Sequence, residues 1–317
     1  MNTARSKLIM VSVGLILSLP AYSLELNTVR KELAKKPHSH TWSAVEPSDN
    51  VRKMAATSAE PKTASFSAPE TLTPSTGANL YGKIPDYWDW RDKDGVNYMS
   101  SVDIPQGECG SCVAFATVSA LEGSLNYRCQ MEYPDVQLSR QYFFSCGGGS
   151  CQKGWKLSEA IRFLENSGVP DAPCMPYISG DGRLDACSNA CSDANDRKVE
   201  RFKAIAVTKG FIDVKAIKAA LMQGPLIANM ILYEDLQYYQ RGIYKHVSGL
   251  KLGSHAITLV GWDDSKKAWL VRNSWGERWG LGGYFWAAFD DPKVLLGRYT
   301  WQIDSAGVNL DKVCHRF

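Results

Sequence analysis

Nine cysteines lie behind an apolar N-terminal run, and the count is odd. Any complete disulfide pairing of such a chain leaves one thiol over, and a thiol kept through export needs a chemical reason. The export reading comes from the first 23 residues. Arg5 and Lys7 precede an apolar stretch from Leu8 to Leu19, and the small-residue pattern Ala21-Tyr22-Ser23 follows, as in a cleaved signal peptide. The stretch falls short of the roughly 17–25 residues that cross a bilayer. The chain is therefore expected to leave the membrane after cleavage and to work in a secreted, periplasmic or lysosome-like compartment, where disulfides persist.

Composition bounds the rest. With 317 residues, 44% hydrophobic and 22% charged, the chain can bury a large core and is not disordered, collagenous or coiled-coil. Residues 24–83 differ, since Ser, Thr, Ala, Pro and Lys dominate and Ala55 to Asn79 has little apolar periodicity. That segment reads as a linker or pro-segment, with the folded part at 84–317. The first 83 residues hold 10 Lys+Arg against 6 Asp+Glu, and the remainder 26 against 27. The formal charge of +3 therefore sits in the front end, and no basic stripe argues for nucleic acid or a membrane surface.

The chemistry is concentrated in two places. Gln106-Gly107-Glu108-Cys109-Gly110-Ser111-Cys112 is followed by Ala114, Val118, Leu121 and Leu125, a spacing that predicts one face of a buried helix beginning near Cys112. A thiol there faces the positive end of the helix dipole, which favours the thiolate. Cys109-x-x-Cys112 also fits a redox dithiol, or half of a zinc site with Cys187-x-x-x-Cys191 as the other half. The downstream sequence favours a nucleophile instead. Gly253 to Trp262 and Trp269 to Arg272 read as strands joined by the turn Asp263-Asp264-Ser265-Lys266-Lys267. The hairpin brings His255, at the start of one strand, alongside Asn273, near the end of the next. His255 can then hold the thiol's proton while Asn273 orients the ring. His38, His40, His246 and His315 carry no such context.

These motifs resemble those of the papain-like cysteine peptidases, particularly the cathepsin B, C and X branch. Gln106 to Cys112, Ser254-His255-Ala256 and Asn273-Ser274-Trp275-Gly276 occur in that family's order and spacing, and the likeness spans Ile84 to about Ile303. Thr41-Trp42-Ser43-Ala44 is similar to part of the cathepsin B pro-segment. The resemblance implies an α+β fold of two domains, a helical half over roughly Gln106 to Val199 and an antiparallel, barrel-like β half from Glu200 to Ile303, with the site in the cleft between them. It implies a Cys112 thiolate that attacks the scissile carbonyl, a His255 that carries the proton, a thioester acyl-enzyme, and Gln106 with the Cys112 backbone N–H as oxyanion donors. Trp275 is expected to shield the His255–Asn273 hydrogen bond. The resemblance further implies peptide or protein substrates, residues 24–83 acting as an intramolecular inhibitor, and a monomer that needs no metal or other cofactor.

The sequence also departs from the family pattern. Val113 stands where a Trp usually follows the nucleophile, and the substrate-facing turn reads Cys151-Gln152-Lys153-Gly154. By the resemblance, the Gly154 backbone would pair with a substrate strand, and Lys153 would charge or block an outer subsite. Asn229 and Trp301 would form a wall and the floor of a shallow pocket for the residue two before the scissile bond. The implied bridges are Cys109–Cys151, Cys146–Cys187 and Cys174–Cys191, which leaves Cys129 with Cys314 and Cys112 as the odd thiol. Nothing resembles the family's exopeptidase loops, which favours an endopeptidase. The alternatives are an aminopeptidase whose front segment stays in the cleft, and a catalytically silent papain-like binding protein.

Overall fold

The structure, a computed structural model, describes residues 24–36, 42–57, 83–131, 136–199, 201–304 and 308–315. The expected signal peptide lies outside the described residues. The front segment contributes α1 (Leu26–Ala34), β1 (Trp42–Ala44) and α2 (Asp49–Thr57), and β2 (Tyr87–Asp89) follows. Where its residues are described, the segment is more than a linker. Val29 and Leu33 of α1 and Trp42 of β1 are buried in the same core as the β half.

The helical half follows as α3 (Cys112–Arg128), α4 (Arg140–Gly147) and α5 (Leu157–Ser167), then three short 3₁₀ turns and α6 (Ala194–Arg197). The sequence pattern predicts one apolar face on α3, but every residue from Cys112 to Asn126 is buried. A helix covered on all sides belongs in the centre of a fold. Its polar residues are accordingly bonded inside: Asn126 Nδ2 donates to Tyr98 O at 3.0 Å and Glu122 accepts from Leu138 N at 2.8 Å. α5 is amphipathic, burying Leu157, Ala160, Ile161 and Leu164. α4 is bounded by chemistry readable from its ends. Ser139 caps it by accepting from Tyr142 N, and Gly148 ends it in the left-handed region.

The β half comprises β3 (Lys203–Lys209), α7 (Val214–Leu221), β4 (Leu226–Tyr233), β5 (Tyr239–Tyr244), β6 (Lys251–Asp263), β7 (Ala268–Arg272), β8 (Tyr284–Ala288) and β9 (Tyr299–Asp304), with α8 (Leu310–Cys314) at the end. The strand order is β1-β5-β8-β7-β6-β4-β9-β3, with β2 pairing β6. The sheet is therefore open, with β1 and β3 at its edges, and not a closed barrel. It is antiparallel except where β5 meets β8 in parallel, because the β6–β7 hairpin intervenes in sequence and β8 returns beside β7. β1 extends the sheet by pairing antiparallel with β5.

Two cores result. One lies under the β half and the front segment; the other joins α3, α4 and α5 to Ile227, Ala256, Trp301 and Ile303 of the sheet. The second core therefore reaches across the cleft. Four disulfides, Cys109–Cys151, Cys129–Cys314, Cys146–Cys187 and Cys174–Cys191, pin the loops of the helical half and fasten the end of α3 to α8. Cys112 stands outside these bridges.

Candidate active site

Cys112 is the first residue of α3 and is 2% exposed. The peptide N–H groups of the next turn converge on Ser111, whose carbonyl accepts from Ala114 and Phe115 at 2.9 and 3.2 Å. The thiol thus sits at the N-terminal, positive end of the helix dipole. β6 packs directly against this helix: Thr258 Oγ1 donates to Ala116 O at 3.1 Å, one turn beyond Cys112 and three residues beyond His255.

His255 lies inside β6, whose pairing begins at Lys251, and not at the strand's start; Asn273 lies just past the end of β7. The hairpin register sets Thr258 opposite Arg272. Asn273 is therefore not directly across from His255, and the side chains bridge the offset: His255 Nε2 stands 2.9 Å from Asn273 Oδ1. That contact commits Nε2, so Nδ1 is the ring nitrogen available for a proton exchanged with sulfur. Trp275 stacks on the imidazole with centroids 5.6 Å apart and planes 29° apart, and Trp279 packs on it edge-on. With His255 at 0% and Asn273 at 4% exposure, water is kept from the pair.

Gln106 is fully buried, and three bonds tie it to Cys109 and Ser274. Its Nε2 donates to Cys109 O at 2.8 Å, its Oε1 accepts from Ser274 Oγ at 2.5 Å, and its backbone N–H donates to Ser274 O at 2.9 Å. Ser274 thus links the Asn273 segment to the Gln106 loop. Its position within the asparagine motif was visible in sequence, but its role was not. Gly107 was missed too. Its φ is +63°, and a Cβ there would lie 2.1 Å from Gly180 O, so the loop needs glycine both for backbone shape and for close approach.

The residues expected to meet substrate are more dispersed. Gly154 has a left-handed φ of +71°, and both its backbone groups are engaged with Ser150, at 2.8 Å through its N–H and 3.1 Å through its carbonyl. A substrate strand would have to compete with that turn. Lys153 is exposed, and its backbone N–H donates to Ser150 Oγ. Asn229 stands opposite Ala256 on β4 and donates weakly to Ser254 Oγ at 3.4 Å. Trp301 is opposite Ile227 on β9, stacks with Tyr299 and is 8% exposed, sharing a core with Cys112. Val113 is 1% exposed and belongs to the same core, so its change from Trp touches packing.

Of the front segment, α2 reaches this site while β1 docks on β5. Trp42 of β1 packs 6.1 Å from Tyr239 and 5.5 Å from Tyr244 and donates its indole N–H to Lys245 O at 2.9 Å. Lys53 of α2 pairs with Glu108 of the Gln106–Cys112 loop at 2.7 Å. Between α2 and the site lies a cavity of about 460 Å³, lined among others by Val51, Met54, Pro105, Trp275, Glu277 and Trp279. Among the described residues no group of His, Cys, Asp and Glu could hold a metal ion, and no helix is long and apolar enough to cross a membrane.

Comparison with known proteins agrees with this geometry. The family model described as "Papain family cysteine protease" matches residues 84–295. The chain is 36% identical over 210 residues to "Cathepsin B-like CP3" of Giardia intestinalis, covering 64% of this chain and 69% of that protein. It is 30% identical over 249 residues to "Cathepsin Z" of Onchocerca volvulus, covering 74% and 79%. In three dimensions it resembles a procathepsin B from Trypanosoma congolense with a TM-score of 0.70, at 20% identity over 88% of this chain and 97% of that one.

Proposed function

The chain belongs to the papain family of cysteine proteases and is a cysteine peptidase, and on that premise we propose that it is an exported zymogen whose mature form cleaves peptide bonds internally. The observation that carries the reading is the pairing of His255 Nε2 with Asn273 Oδ1 at 2.9 Å beneath Trp275, beside a helix that begins at Cys112.

In this reading the Cys112 thiolate attacks the scissile carbonyl carbon while His255 stands protonated beside it. The carbonyl π electrons move to oxygen, and that oxyanion is met by the Gln106 side-chain N–H and the Cys112 backbone N–H. Collapse breaks the C–N bond, and the imidazolium gives its Nδ1 proton to the leaving amine. A thioester remains. Water attacks it, His255 takes the water's proton, and release of the acid restores the thiolate–imidazolium pair. Asn273 holds the ring throughout, and Trp275 excludes water from that bond.

Residues 1–23 would be the signal peptide, 24–83 the inhibitory pro-segment and 84–317 the catalytic domain. The docking of Trp42, the Lys53–Glu108 pair and the strand β1 added to β5 support a segment that covers the cleft before processing. Endopeptidase cleavage is favoured because the sequence shows nothing like the family's exopeptidase loops, and Asn229 and Trp301 would form a shallow pocket for the residue two before the bond. Peptide-library cleavage by the processed chain and by its Cys112→Ala variant tests the reading. Internal cleavage that vanishes in the variant is expected, and removal of only terminal residues would replace endopeptidase with exopeptidase. Thiol-independent cleavage, or none, would defeat the reading.

A further inference from the structure

The catalytic loop from Gln106 to Ser111 contains two glycines and ends in the two groups whose separation matters most, the oxyanion donor Gln106 and the nucleophile's neighbour Ser111. One side chain spans both ends. Tyr177 donates its hydroxyl proton to Gln106 O at 2.7 Å, and the same oxygen lies 2.8 Å from Ser111 Oγ. A phenol has one proton, and the Gln106 carbonyl can only accept, so Ser111 must be the donor of the second bond. The chain of bonds therefore runs from Ser111 through Tyr177 to Gln106. Ser111 has a weaker alternative, Cys109 O at 3.4 Å, which the 2.8 Å contact outcompetes.

Tyr177 is itself held from behind. Its ring meets Phe115 of α3 edge-on, with centroids 4.9 Å apart and planes at 87°. Ser139 Oγ donates to Met175 O at 2.6 Å, and Gln141 Oε1 accepts from the N–H groups of Ile178 and Ser179 at 2.9 and 3.1 Å. Gly180 O accepts from Glu108 N at 2.8 Å, inside the same loop. Burial raises the phenol's pKa, outweighing the lowering by its Ser111 bond, so the hydroxyl stays protonated and able to donate.

We propose that Tyr177 is a positioning residue for the peptidase reaction, fixing the Gln106 carboxamide relative to the Cys112 thiol by bridging the two ends of the catalytic loop. It touches neither substrate nor reacting atoms. Oxyanion stabilisation depends on donors held at about 2.7–3.1 Å from the developing charge, and a misplacement of about 1 Å can cost a hundredfold in rate. The inference rests on the assignment of Cys112 and Gln106 above.

The test compares wild type, Tyr177→Phe, Ser111→Ala and the double variant, each prepared as the full chain and as its processed form. Two reactions are followed: hydrolysis of a fluorogenic peptide, which needs the oxyanion donors, and alkylation of Cys112 by iodoacetamide, which develops no oxyanion. Tyr177→Phe keeps the ring and its packing on Phe115, and is expected to lower kcat about ten- to hundredfold with KM and the alkylation rate within about twofold. The double variant is expected to match the worse single variant, because the bonds act as one chain. An unchanged kcat overturns the inference, as does a parallel fall in hydrolysis and alkylation, which marks a merely structural role. If Tyr177→Phe does not fold, Ser111→Ala alone decides, by the same split between the two reactions. A wild type without thiol-dependent hydrolysis would overturn both this inference and the assignment beneath it.

Discussion

His255 and Asn273 are joined side chain to side chain, Nε2 to Oδ1 at 2.9 Å, although the strand register does not set them opposite one another. The bond is buried under Trp275, so it cannot be replaced by bulk water when a partner is removed. Loss of a buried hydrogen-bond partner costs about 1–3 kcal/mol. Asn273→Ala is therefore expected to lower kcat roughly ten- to hundredfold while leaving KM nearly unchanged. Steady-state kinetics on a fluorogenic peptide measures this, and an unaltered kcat would remove Asn273 from the orienting role.

Gln106 offers a contrasting case. Its Nε2 carries two hydrogens, one of which is on Cys109 O, leaving the other for the proposed oxyanion contact. Gln106→Ala is expected to reduce kcat by about 10²–10³ and to leave iodoacetamide alkylation of Cys112 unaffected, since that reaction makes no oxyanion. Equal losses in both reactions would show instead that the Ser274 clamp on the loop had failed.

The front segment is testable through Trp42. Truncating a large buried aromatic costs about 3–5 kcal/mol, and Trp42 is 4% exposed between Tyr239 and Tyr244. In the unprocessed chain, Trp42→Ala is expected to raise peptidase activity at least about a hundredfold. Lys53→Ala should do far less, because its pair with Glu108 is exposed to solvent and screened. Equal activity of the unprocessed wild type and the Trp42 variant would mean that the segment does not inhibit.

The candidate site was legible in sequence because the proposed nucleophile, base and orienting amide each sit in a short motif whose residue types have few other uses. What escaped was held by distant contacts. Tyr177 is one tyrosine in a loop, and only the fold brings it to Gln106 and Ser111, 71 and 66 residues away in sequence. The apolar face assigned to α3 was incomplete because Thr117, Ser119 and Glu122 look solvent-facing by type yet are buried. Composition leaves the front segment as a linker or pro-segment, since its docking depends on a few residues such as Val29, Leu33 and Trp42. That the barrel-like sheet stays open, with β1 and β3 at its edges, depends on whether the two edge strands meet, which no local pattern encodes.

Glu122 supplies the stability test. It is fully buried in α3, and its carboxylate accepts from Arg140 Nη2 and Leu138 N, both at 2.8 Å, and from the Ser100 hydroxyl. Ser100 in turn accepts from Arg272 Nη1 at 2.9 Å through its hydroxyl and its carbonyl. One carboxylate therefore serves two buried guanidinium groups drawn from opposite halves of the cleft, and burial holds Arg272 below its ordinary pKa. Removing one partner from a buried ion pair costs about 3–5 kcal/mol, because the charges left behind stay unpaired. For a domain of this size, about 2–4 °C of Tm accompanies each kcal/mol, so Glu122→Ala is expected to lower Tm by roughly 6–20 °C. Glu122→Gln keeps the shape and an acceptor for Leu138 N but not the charge, and should fall in between. Because Arg272 immediately precedes Asn273, kcat at temperatures well below Tm should drop as well. A Glu122→Ala protein whose thermal midpoint stays within a few degrees of wild type would show that the two arginines find other partners or water, and that the halves are not held together at this point.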